Sequence, residues 1–192
     1  MDKWVRKLVQ YNIDKGKISK EDADIYKFGY TLLFEKAIIF LITLLIAFIF
    51  DAFLEVLIFC IAFIPLRVYS GGYHAKSTIK CMILSGIVLI CNILAVQQMS
   101  DWEWGKYFII LELVLFLVLI VLSPVEHENR KIEESERRYF RHVVLGIYII
   151  ELVIEIIFLL LGWNQIVLGF VLAHVVNAGV VVISGKCRRG TV

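Results

Sequence analysis

Long apolar runs constrain this chain more than any other feature. Residues 37–50, 53–66 and 107–122 each hold at most one polar side chain. In hydrocarbon every backbone N–H and C=O must find a partner within the protein, so such runs form helices rather than open strands. The composition agrees, with 60% hydrophobic residues and a mean hydropathy of +0.81, well beyond the balance of a soluble domain. The two prolines, Pro65 and Pro124, stand at the ends of apolar runs. The expected fold class is all-α, a polytopic membrane protein.

Six spans fit the pattern, at about 28–50, 52–66, 79–97, 104–122, 143–161 and 165–184, within one membrane-embedded domain covering residues 1–192. A straight span needs about 20 residues, which makes the second short. Joining it to the first would bury Asp51 and Glu55 at mid-membrane, a costly arrangement. A hairpin turning at those two acids avoids it. Charge gives a separate test of the map. Nineteen of the 20 Lys and Arg fall in residues 1–36, 67–80, 123–142 and 185–192, and only Lys106 falls in an alternate connection. By the positive-inside rule both termini, and the loops after spans two and four, are expected in the cytoplasm.

Residues 1–27 are expected to form amphipathic helices on the cytoplasmic surface. Trp4, Leu8 and Tyr11 share a helix face, with Lys3, Arg6 and Lys7 interleaved, as in segments lying on anionic inner-leaflet lipid. Docking of an acidic or amphipathic peptide is the second reading of the same basic face. Ser19 followed by Asp22 resembles a capping box opening the next helix. Residues 1–36 lack the short apolar centre of a cleavable signal peptide, so none is expected. Cys60 and Cys91 lie inside apolar runs as small hydrophobes, and Cys187 stands in a basic tail. No disulfide framework or paired C-x-x-C is present. A net charge of +2, with basic residues that follow topology, argues against nucleic acid as a partner.

The polar chemistry is concentrated in residues 67–81, Arg-Val-Tyr-Ser-Gly-Gly-Tyr-His-Ala-Lys-Ser-Thr-Ile-Lys-Cys. A helix starting just before His74 would put His74 and Cys81 on one face, two turns and about 10 Å apart. Contact would need converging side chains or a later helix start. A free thiol is mostly protonated at neutral pH, and an imidazole can take its proton. Arg67, Lys76 and Lys80 add positive charge, and Gly71-Gly72 offers a turn whose N–H groups can approach an oxyanion. The same residues also admit a bland reading, with a hydrogen-bonded interfacial histidine, a packing cysteine and a simple turn. Two ligands are too few for a metal site, and no cofactor is needed.

The pattern R-x₃-G-G-x-H-A-x₅-C, following a short hydrophobic hairpin, resembles the AgrB family of bacterial membrane cysteine endopeptidases, which process quorum-sensing peptide precursors. The likeness covers almost the whole chain, including a polar run through Asn129, Arg130 and Lys131 after Pro124. The resemblance implies that Cys81 is the nucleophile and His74 its base. The substrate it implies is an AgrD-like precursor, cut before its C-terminal tail through an acyl-thioester that an internal cysteine or serine then resolves into a ring. Arg67, Gly71 and Gly72 enter as supporting residues, for loop geometry, substrate carboxylate or oxyanion. A third, histidine-orienting group is open among Asp22, Asp24, Glu126 and Glu128, as is a simple dyad. A homodimer is compatible with the chain by analogy with other small membrane enzymes.

Glu112, Glu151 and Glu155 fall inside spans, where carboxylates are functional candidates. Glu151 and Glu155 share a helix face, and His174 or Asn177 of the last span, or a protonated neighbour, are their expected partners. A polar cavity and a helix-packing cluster both fit. The alternative function is a small peptide transporter. Against it, the chain shows no inverted repeat and no P-loop.

Overall fold

The computed structural model describes residues 2–71, 78–99, 105–125 and 133–189. Seven helices are present among these residues: α1 (Asp2–Asp14), α2 (Ala23–Ile49), α3 (Phe53–Ser70), α4 (Thr78–Met99), α5 (Gly105–Leu122), α6 (Glu134–Leu160) and α7 (Asn164–Arg189). Five of them are long and apolar enough to cross a membrane, and Tyr107–Leu122 adds a shorter apolar helix. The protein is therefore a multi-pass, all-α membrane protein. The chain divides into two compact units, residues 1–45 and 46–192.

In the first unit, α1 buries Val5 and Val9 and exposes Trp4 and Tyr11. Asn12 ties α1 to α2, its Nδ2 donating to the Tyr30 hydroxyl at 3.3 Å. The turn into α2 is closed by Ser19. Its Oγ accepts from the Asp22 N–H at 3.1 Å and donates to the Asp22 carboxylate at 2.8 Å, which satisfies one of the free donors at a helix start.

In the second unit, the chain reverses between Ile49 and Phe53, with Asp51 at φ 47°, a left-handed conformation that Asp tolerates better than most residues. Glu55, in the first turn of α3, is buried and accepts from Gln165 Nε2 of α7 at 2.8 Å. The apolar run ends at Leu66, but α3 continues past Pro65 to Ser70. Proline costs one intrahelical bond, and Arg67 in the last turn suits the negative end of the helix dipole.

Helix α7 is the centre of this unit and packs against α3, α4, α5 and α6. Of its apolar window 56% is buried, against 22% for α4 and α6. Small residues make that position possible. A Cβ on Gly169 would lie 2.8 Å from Ile58 Cγ2, so α3 and α7 meet at a distance only glycine allows. One apolar cluster joins Leu66, Leu115, Leu119, Val144, Tyr148, Ala178 and Val181. A second joins Val96, Phe108, Val167, Leu168 and Val171. Outward, α3 exposes Phe53, Leu57, Ile61, Ile64 and Val68 as a stripe at helical spacing, an apolar surface suited to lipid rather than water.

Candidate active site

The motif begins in the last turn of α3. Arg67 reaches forward over one turn, and its guanidinium donates to the Gly71 carbonyl. Ser70 is fully buried, and its carbonyl accepts from the Val125 N–H at 2.9 Å. Gly71 and Val125 thus form a short parallel bridge between the segment after α3 and the segment after α5. Glycine is required here on two counts. Its φ is +71°, a region that penalises any side chain. A Cβ would also overlap the Val125 carbonyl oxygen, which is backbone and cannot rotate aside.

The Val125 side of the bridge is anchored in turn. Pro124 follows a cis peptide bond after the buried Ser123. Arg141 Nε of α6 donates to the Ser123 carbonyl at 3.4 Å, and Tyr69 of α3 packs on Phe140 of α6 with ring centroids 6.1 Å apart. Cys81 stands in the first turn of α4, half-buried and free.

Of the five residues expected at the site, Arg67 and Gly71 are joined by a hydrogen bond, and Cys81 stands in the first turn of the next helix. His74 and Gly72 lie outside the described residues, as do Glu126 and Glu128. Ser70, Ser123, Val125 and Arg141 were not singled out in the sequence. Their part is played through backbone bonds between distant segments, which leave no local pattern to read.

A second polar group lies inside the bundle. His174 of α7 is fully buried and stands between Glu112 of α5 and Glu151 of α6. Its Nδ1 is 2.9 Å from Glu112 Oε2 and its Nε2 is 2.9 Å from Glu151 Oε2. Glu155 Oε1 lies 3.4 Å from Nδ1. The Tyr148 hydroxyl donates to the Glu112 carboxylate and stacks its ring on His174 at 4.5 Å. Asn177, one turn along α7, donates from Nδ2 to the Phe63 carbonyl at 3.3 Å. Of the partners expected for Glu151 and Glu155, His174 meets them and Asn177 turns to the Phe63 carbonyl instead, whereas the entry of Glu112 and Tyr148 was not expected.

A short hydrophobic hairpin, a backbone-pinned glycine turn and a half-buried cysteine opening the next helix, in a bundle of apolar helices, define a class of small multi-pass membrane protein. The model of the family Accessory gene regulator B matches residues 1–183. The chain belongs to the AgrB family. It is 28% identical over 150 residues to the "Putative AgrB-like protein" of Clostridium perfringens (strain SM101 / Type A), covering 75% of this chain and 70% of that protein. It is 26% identical over 151 residues to the "Putative AgrB-like protein 2" of C. perfringens (strain 13 / Type A), covering 76% and 71%. No solved structure matches.

Proposed function

We propose that this protein is a membrane cysteine endopeptidase that removes the C-terminal tail of an AgrD-type precursor and leaves the remainder ready to cyclise. The observation that carries the reading is the Arg67-to-Gly71 hydrogen bond, which pins the glycine against the Val125 backbone in the motif that ends at Cys81, in a chain of the AgrB family. A packing cysteine has no need of a pinned glycine turn earlier in the same motif.

In the mechanism, Cys81 Sγ gives its proton to His74 and attacks the carbonyl carbon before the tail. The tetrahedral oxyanion is held by backbone N–H groups of the turn containing Gly71 and Gly72. His74 returns the proton to the leaving amine, the C–N bond breaks, and the tail departs. An acyl-thioester on Cys81 remains. An internal thiol or hydroxyl of the precursor then attacks that thioester, restoring Cys81 and closing a thiolactone or lactone. Thioester-to-thioester transfer is nearly isoenergetic, so this step needs no ATP. Hydrolysis competes, and limited water at a half-buried site disfavours it. Arg67 holds the Gly71 carbonyl and so the shape of the turn.

The distribution of Lys and Arg supports a cell-membrane protein with both termini and the site facing the cytoplasm. There the whole chain acts as one membrane-embedded domain, its amphipathic start resting on anionic lipid and meeting the precursor's leader. The test uses the purified chain in lipid nanodiscs with a synthetic AgrD-type precursor, read by mass spectrometry. Tail release and a leader fragment trapped on Cys81 are expected, and both should vanish in Cys81→Ser and His74→Ala. Normal tail release by folded Cys81→Ser, or none by the wild type, would reject the protease and favour a peptide transporter.

A further inference from the structure

We propose that Glu112, Glu155 and the Nδ1 atom of His174 bind a divalent first-row metal cation between α5, α6 and α7, apart from the cysteine site. Each of these three residues offers one ligand atom, and the atoms lie within 4.8 Å of one another. All three residues are more than nine-tenths buried. One imidazole with two carboxylates is a donor set suited to zinc, manganese or their neighbours rather than to calcium.

Two features point to a ligand rather than to helix packing alone. The first is that Glu112 Oε1 and Glu155 Oε1 are buried without a hydrogen-bond partner. Glu155 Oε1 faces His174 Nδ1 at 3.4 Å yet does not meet hydrogen-bond geometry. With metal–ligand bonds of about 2.0–2.2 Å, two ligands at a tetrahedral angle are roughly 3.4 Å apart. The spacing is that of two atoms sharing a cation. The second is the far side of the ring. Glu151 Oε2 lies 2.9 Å from His174 Nε2. In the tautomer protonated at Nε2 it accepts that proton, and the Nδ1 lone pair then faces Glu112 Oε2 at 2.9 Å and Glu155 Oε1 at 3.4 Å, the arrangement a cation would require. A carboxylate behind a ligating histidine is the usual support for a bound metal. The Tyr148 hydroxyl orients Glu112 in the same way.

Charge points the same way. The cluster holds three carboxylates in a lipid-embedded core, where unbalanced charge is costly. The sequence has no Lys or Arg in α5 after Lys106, in α6 after Arg141 or in α7 before Lys186, so no side chain of fixed positive charge shares the interior of these helices. With all three carboxylates ionised, a dication with neutral imidazole leaves one negative charge and an imidazolium alone leaves two; protons on the carboxylates are the competing way to balance the cluster. The cation would join three helices at mid-bundle.

The test uses the full chain in detergent or nanodiscs, with an affinity tag free of histidine, stripped with chelator and then dialysed against Zn²⁺ alone or Mn²⁺ alone. Elemental analysis should find about one metal per chain, and melting should shift upward with the metal. Glu155→Gln should abolish retention. Glu151→Gln, which keeps every ligand, should weaken affinity by roughly 10–100-fold. Cys81→Ser should retain the metal fully. Co²⁺ loading of the wild type should give visible d–d bands, a readout that stands even if a variant does not fold. A folded wild type without stoichiometric metal and without d–d bands would overturn the proposal and leave a cluster held by protons. Equal retention by folded Glu155→Gln, or loss in Cys81→Ser, would overturn it by placing the metal elsewhere.

Discussion

Gly71 carries more of the site than its lack of a side chain suggests. It accepts from Arg67, sits at positive φ and touches the Val125 backbone. Alanine there would adopt a backbone conformation all but reserved for glycine, costing about 1–3 kcal/mol, and would have to push the segment after α5 away. A cost of that size, falling on the turn proposed to bind the oxyanion, would lower the productive population by roughly tenfold. Gly71→Ala is therefore expected to remain folded, since its strain is local, while tail release from an AgrD-type precursor drops about tenfold or more. Thermal melting and mass spectrometry on the same sample check this, and full activity would dissociate the turn from catalysis. The motif stood out in the sequence because a cysteine, a candidate base and a permissive turn follow in close order, the residue types thiol chemistry needs. The reason for Gly71 in particular was not legible, because Val125 is remote in sequence. The same distinction holds for the buried cluster. Glu151 and Glu155 announce a shared face by their spacing of four, but Glu112 and Tyr148 reach His174 only once α5, α6 and α7 are packed together.

At the scale of elements, apolar runs and charge breaks were enough to expect an all-α polytopic chain, because a helix is the local answer to a lipid environment. Which helix would be central was not legible, since all six apolar helices look alike in hydropathy. The physical signal lies in small and polar residues instead. Gly169, Ala173, His174, Asn177 and Ala178 run along α7 and are useless toward lipid, yet let neighbours approach and bind. Pro65 shows the reverse limit, because a residue that commonly ends a helix is absorbed within α3. The α3–α7 contact makes a direct prediction. Gly169→Val forces branched carbons into Ile58, and overpacking of this kind costs about 1–3 kcal/mol. Ile58→Ala in the same chain should recover part of that loss, because the methyl group in the way is removed. A double-mutant cycle on unfolding in mixed micelles measures the coupling. Strictly additive effects would mean that the two helices can slide apart at no cost.

At the scale of the whole molecule, the unequal placement of Lys and Arg is the feature that decides where the chemistry can occur. Positive residues on the translocated side resist insertion, so with nineteen of 20 basic residues in the termini and the connections after the second and fourth spans, and only Lys106 elsewhere, the expected orientation has those segments inside. That preference matters to the proposed reaction. A precursor made in the cytoplasm meets Cys81 without crossing the bilayer only if the ends of α3 and α5 and the start of α4 face inward. Reporter fusions distinguish the two orientations. Alkaline phosphatase, which folds only after export, is expected to be inactive when joined after Val125 and active when joined after Gly162, between α6 and α7. A fluorescent reporter that matures in the cytoplasm should give the opposite pair of signals. If instead the Val125 fusion were the active one, the cysteine would face outward. The precursor would then have to be exported before cleavage, so that transport, rather than thiol chemistry, would come first.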